Sequence, residues 1–265
     1  YLLNDLEFVV LSRNDAKFYD IDLNPIDKKI QTIEWNASSA EKDGYDDYML
    51  KEIHEQPTAI RETIGSKLDE NSKCDFEELH FTKNYLQSLN KIYFVACGTA
   101  MHAGLVGKYI IEHLCKIPTE VDIASEFRYR DPIIDDKTLC IFISQSGETA
   151  DTIAALKLSK QKGAKTLAIS NVIGSSITRE ADYSIYTHAG PEIAVASTKA
   201  YTSQVVLLAV LAIYFAEKLG IHSEDIINLK SEILELPKKI EEVLKTEERI
   251  KEFAHKIYQE KDVFF

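Results

Sequence analysis

Between residues 91 and 188, short apolar runs alternate with stretches whose apolar positions recur every three or four residues. The runs are KIYFVAC (91–97), TEVDIA (119–124), TLCIFIS (138–144), AKTLAIS (164–170) and DYSIYTH (182–188). Between them, AMHAGLVGKYIIEHLC (100–115) and TADTIAALKLSKQKG (149–163) carry helical spacing, the second closing on a glycine. Continuous apolar strands separated by helices mean a parallel sheet covered on both faces. The pattern predicts an α/β fold, a doubly wound five-stranded parallel sheet, over residues 75–222.

The flanks read differently. Residues 1–34 alternate in short strands, EFVVLS, AKFYDID and KKIQTIEW, with a turn at Asp-Leu-Asn-Pro (22–25). Residues 36–46 are polar and read as a linker. A helix is expected from Asp47 to about Ile64, interrupted near Pro57. A second long helix is expected from Ser197, around VVLLAVLAIYFA (205–216). That run is shorter than the roughly 20 residues of a membrane span, so it reads as a buried helix. Its apolar circumference calls for cover on all sides, one side from its own sheet and the other from a further subdomain or a partner chain. Residues 223–260 read as charged helices with a break at Pro237, and the closing DVFF (262–265) as the start of another strand. The chain opens on Tyr1 and reads as a piece of a longer protein.

Composition narrows the chemistry. With 43 acidic against 31 basic residues, the formal net charge is −12. That argues against nonspecific nucleic-acid binding and against an anionic membrane surface. An anionic ligand would have to be held by local geometry against the global field. Four cysteines, at 74, 97, 115 and 140, form no CxxC pair, and the seven histidines form no HExxH or HxxxH. Reduced thiols, a cytoplasmic location and no metal site are the expectation.

In open parallel sheets ligands bind beyond the carboxyl ends of the strands. Three such ends carry small polar residues: ACGTA (96–100), SQSGET (144–149) and SNVIGSS (170–176). SQSGET reads as an oxyanion cradle. A helix beginning near Thr149 offers unpaired N–H groups and a partial positive charge. Ser144, Ser146 and Thr149 can donate hydroxyl hydrogens, and Gly147 lets the backbone approach. The same spacing equally fits an ordinary strand-to-helix loop with Thr149 as its cap. Cys97 reads as a small buried hydrophobe, His102 as a structural or surface residue, and Lys199 as a helix-end surface charge open to a ligand role beside Ser197 and Thr198.

Taken in order, CGTAMHAG, SQSGETADT, SNVIGSSITREAD and GPEIAVASTKAYTSQ resemble the first sugar isomerase (SIS) subdomain of the glutamine–fructose-6-phosphate aminotransferase family. YMLKEIHEQP (48–57) resembles that family's junction between glutaminase and isomerase domains, and residues 1–35 the β-rich end of the glutaminase domain. The resemblance covers essentially the whole chain. It implies a SIS, flavodoxin-like sheet and four segments: 1–46, glutaminase end and linker; 47–74, linker helices; 75–222, first SIS subdomain; 223–265, helices leading to a second.

It implies a site that binds fructose 6-phosphate or glucosamine 6-phosphate through Ser144, Gln145, Ser146 and Thr149, with Thr99 and Ala100 on the adjoining turn. The family has a serine where this chain has Ala100, which removes one hydroxyl. Val195, through its backbone, and Ser197 face the sugar; Cys97, Gly98, Gly147 and Lys199 support the loops. The family's Schiff-base lysine, proton-moving glutamate, ring-opening histidine and glutaminase cysteine map to no position here. No cofactor is implied, and a homodimer is. A stand-alone SIS regulator would carry a helix-turn-helix and a basic patch, and a deglycase-like phosphosugar enzyme would lack KEIHEQP.

Overall fold

The computed structural model describes residues 1, 3–4, 6–30, 41–68 and 74–264, in two compact units, residues 1–40 and 41–265. The first unit holds strands β1 (Phe8–Leu11), β2 (Ala16–Tyr19) and β3 (Pro25–Ile26), joined antiparallel in that order. The turn expected at 22–25 is there: one Asp20 carboxylate oxygen accepts from the amides of Asp22 and Asn24, both at 2.9 Å. The third expected strand does not form as read. Residues 28–30 lie outside any strand, 31–35 and the linker stretch 36–40 lie outside the described residues, and the pairing partner of β2 is the earlier Pro25–Ile26.

The second unit opens with α1 (Tyr48–Ile64), capped by the Asp47 side chain accepting from Leu50 N at 2.8 Å. Contrary to expectation, α1 passes unbroken through Pro57. Proline has no N–H for the carbonyl of Ile53, but the Gln56 amide donates to that oxygen at 3.0 Å and fills the gap. There follow α2 (Lys83–Ser88), β4 (Lys91–Ala96), α3 (Gly98–Cys115), β5 (Thr119–Ile123), α4 (Ala124–Tyr129), β6 (Thr138–Ser144), α5 (Ala150–Gln161), β7 (Lys165–Ser170), α6 (Ser176–Glu180) and β8 (Tyr183–Tyr186). The five strands pair in parallel in the order β5-β4-β6-β7-β8. The predicted doubly wound five-stranded sheet is the observed one.

The period-2 alternation sorts each strand onto two cores. Ile92, Phe94, Leu139, Ile141 and Ile143 face the larger, with α1, α3 and α7 (Lys199–Leu219). Tyr93, Val95, Cys140 and Phe142 face the smaller, with α4, α5 and α6. The chain ends in α8 (Glu224–Leu244) and α9 (Glu247–Ile257). Here too the expected break at a proline is absent. Pro237 is buried inside α8, and the division falls at Lys245–Thr246. Asp262–Phe264 forms no strand.

α7 is the buried helix expected: it is longer than its apolar run and by length and composition could cross a membrane, but 78% of its most apolar window is buried within the chain. The expectation of outside cover is corrected, because α1, α2, α3 and α8 of the same chain pack around it. Thiols bind its backbone, Cys74 Sγ to Val210 O at 3.3 Å and Cys115 Sγ to Ala212 O at 3.4 Å, and its own Tyr214 hydroxyl donates to Leu79 O at 2.9 Å.

The α3–α7 packing depends on a missing side chain. A Cβ on Gly107 would sit 3.0 Å from Leu208 Cδ1 and 3.3 Å from Phe94 Cε2. Gly107→Leu should therefore overpack this seam and cost about 1–3 kcal/mol. Urea unfolding checks it: the midpoint falls if the seam is as tight as described, and an unchanged midpoint refutes it.

Candidate functional site

The strand order reverses between β4 and β6, because the chain runs outward from β4 to β5 and returns across β4 to begin β6. Such a switch point leaves a crevice at the carboxyl ends of the two strands. A cavity of about 250 Å³ opens there. Cys97, Thr99 and Ala100 after β4 and Ser144, Gln145, Ser146 and Thr149 after β6 form one wall, and Glu192, Ala194, Val195, Ser197 and Gln204 form the other. The residues singled out from the sequence for a ligand are thus brought together. Gly98 and Gly147 shape the adjoining turns with positive φ, +58° and +69°.

The loop after β6 is held from inside. The buried Ser144 hydroxyl accepts from Gly147 N at 3.0 Å and lies 3.2 Å from the Thr149 hydroxyl. Gly147 is required twice over: its φ is left-handed, and a Cβ would fall 2.0 Å from Ser175 Oγ. The start of α6 clamps the same turn, with Ser176 N donating to Glu148 at 2.7 Å and Ile177 N to Gly147 O at 3.0 Å. Ser146 stays exposed, its hydroxyl accepting from Glu148 N at 3.2 Å. Thr149 does occupy the N-cap position of α5, but its side chain makes no capping bond.

Three helices begin at this cavity, α3, α5 and α7. Their electrostatic states differ. At α7, Glu192 takes the free amides: one oxygen accepts from Thr198 N at 2.9 Å and Ala200 N at 3.1 Å, the other from Ser197 Oγ at 3.1 Å. The caps of α3 (Cys97) and α5 (Thr149) make no side-chain bond to their helices. Their amide ends are left for an anion. No lysine or arginine is among the lining residues.

The second wall is fastened by α1. Glu52, only 1% exposed, turns one carboxylate oxygen to Ile193 N at 2.5 Å and Ala194 N at 3.0 Å. Glu55 pairs with Lys199 Nζ at 2.6 Å, and Gln56 accepts from the Thr202 hydroxyl at 2.6 Å. KEIHEQP and EIAVASTKA, far apart in sequence, thus form one contact. This corrects the reading of Lys199 as a surface charge: it is 2% exposed and turned to Glu55, a brace between α1 and α7 rather than part of the cavity lining. His102 is exposed on α3, outside the lining. Glu52, Glu192 and Gln204 carried no assigned role in the sequence, and the burial that marks Glu52 is a property of the folded chain. Among the described residues no cluster of His, Cys, Asp and Glu is arranged to hold a metal ion.

The SIS domain model matches residues 85–214. That segment of the chain is a SIS domain. Along its full length it is similar to glutamine–fructose-6-phosphate aminotransferases (isomerizing). It is 54% identical to that of Clostridium perfringens over 266 residues, covering 100% of this chain and 44% of the relative. To that of Corynebacterium glutamicum it is 44% identical, with 100% and 42% covered. Its SIS unit resembles the C-terminal domain of glucosamine-fructose-6-phosphate aminotransferase from Francisella tularensis. There the TM-score is 0.75 at 40% identity, covering 81% of this chain and 60% of that one. The chain spans less than half the length of these curated relatives.

Two outcomes follow for the SIS domain. Hydrogen bonds to a charged partner are worth about 1.5–3 kcal/mol each, so Glu52→Ala should cost roughly 3 kcal/mol. It should also speed amide exchange at Ile193 and Ala194 while leaving β6 protected; unaltered exchange there would show that α1 does not hold the wall. Burial pushes the thiols of Cys74, Cys115 and Cys140 up to about 12, whereas Cys97 is half-buried at the cavity. Thiolates react and thiols do not. Peptide mass spectrometry of the native chain after alkylation should find Cys97 modified and the other three intact, and the reverse order would contradict the described burial.

Proposed function

We propose that this SIS domain binds the sugar phosphate of a glutamine–fructose-6-phosphate aminotransferase, the enzyme that makes glucosamine 6-phosphate and glutamate from fructose 6-phosphate and glutamine. One observation carries the reading: two helix ends without side-chain caps meet serine and threonine hydroxyls in a single cavity with no basic residue. Neutral donors and helix ends suit a phosphate dianion in a protein whose net charge is −12. The similarity along the whole chain to aminotransferases supports the choice of sugar phosphate.

In this reading the phosphate sits against Ser146, Thr149 and the first turn of α5, with Ser144 and Gln145 behind it and Thr99 beside it. Ala100 supplies no hydroxyl, so the α3 end contributes through its backbone. Val195 has a fully exposed side chain and acts through its main chain, next to Ser197. Lys199, engaged by Glu55, is not the Schiff-base lysine. The chain's part is to hold and orient the substrate, and the catalytic groups belong to the rest of the aminotransferase. A cytoplasmic location and a homodimeric parent go with the same reading.

The double variant Ser146→Ala with Thr149→Ala should lose about two charge-assisted hydrogen bonds, roughly 3–6 kcal/mol of fructose 6-phosphate affinity. Titration calorimetry on the 265-residue chain decides. Unchanged affinity would remove the phosphate from this loop.

A further inference from the structure

The far wall of the cavity contains one polar side chain that the phosphate reading does not use. Gln204, in the second turn of α7, is 3% exposed and lines the cavity. Its Oε1 is fully buried and makes no hydrogen bond. Among the described residues, no other lining side chain has a buried polar atom without a partner. Its polar neighbours on that wall are committed: both Glu192 oxygens accept from the α7 start and Ser197, and the Ser197 hydroxyl donates to Glu192.

A buried amide oxygen with no partner is costly and is ordinarily satisfied by something. In a cavity roomy enough for a sugar, that partner can come from the ligand. An amide oxygen accepts, so its complement is an O–H donor. A carboxylate or a phosphate dianion, which only accepts, cannot satisfy that oxygen.

We infer that Gln204 is a substrate-binding residue that reads a hydroxyl of the ligand's polyol chain, opposite the phosphate loop. This rests on the phosphosugar reading above. The two walls then divide the labour. The loop at 144–149 recognises the charged end, which inorganic phosphate shares, and Gln204 recognises what only a polyhydroxylated ligand has. The site is therefore selective for sugar phosphates over phosphate alone through a residue on α7.

The test compares fructose 6-phosphate with inorganic phosphate on the wild-type chain and on Gln204→Met, which keeps the bulk and removes the amide. The variant should bind fructose 6-phosphate about 10- to 100-fold more weakly and inorganic phosphate as before. Without ligand its melting temperature should hold or rise, because the unpartnered group is gone. Equal loss for both ligands, unchanged fructose 6-phosphate affinity, or a melting temperature lowered by more than about 5 °C would overturn the assignment.

A second arm uses the wild-type chain alone, with deoxy analogues of fructose 6-phosphate that each lack one hydroxyl. One analogue should lose a comparable factor, and a series with no such member would also overturn it. A wild-type chain that binds neither fructose 6-phosphate nor phosphate refutes the phosphosugar reading and this inference together. One that binds both, with Gln204→Met unaffected, refutes this inference alone.

Discussion

The second unit is organised around the need to bury α7 on every side. Residues 206–216 are all at or below 5% exposed, an apolar surface that a sheet can cover on one side only. The rest of the cover is assembled from helices distant in sequence. α3 closes in at Gly107, α1 lies alongside, and α2 and α8 complete the ring. The approach to this helix and its second turn border the cavity, so packing that hides the helix also fixes where Ser197 and Gln204 stand.

The cavity answers an electrostatic problem set by composition. A chain with net charge −12 repels anions at long range, and its switch-point cavity carries no cationic side chain. Backbone amides at helix ends act only within a turn or so. They attract an anion once it is seated without altering the global field. Glu192 shows the same effect turned inward: it supplies the negative group that α7 needs at its start, which leaves that wall neutral toward a ligand. Two open helix ends and one closed one give the cavity a direction, charged at one side and neutral at the other.

The sheet was plain in the sequence because each strand is a short apolar run bounded by polar loops; TLCIFIS (138–144) matches β6 residue for residue. The hydroxyl-rich loop was equally visible, since local spacing and a strand-helix junction define it. What was hidden is long-range. Glu52 lies 141 residues before the amide of Ile193 that it binds, and nothing near either residue announces the other. Both prolines misled for a related reason: a missing N–H is a local fact, whereas the Gln56 amide that replaces it and the burial of Pro237 are facts of the folded helix. Lys199 reads as a surface charge until Glu55 arrives from α1.

The brace between α1 and the cavity wall has a consequence for where this domain begins and ends as a physical object. The recurring SIS segment spans residues 85–214, but the group fastening its wall is Glu52, and α1, α8 and the last turn of α7 lie outside that span. A chain trimmed to the recurring segment would bare one flank of α7 and release the strip at 193–194. The matched segment is thus smaller than the compact unit, residues 41–265, that holds its wall in place, and a minimal binding module made from this sequence should be cut to the larger one.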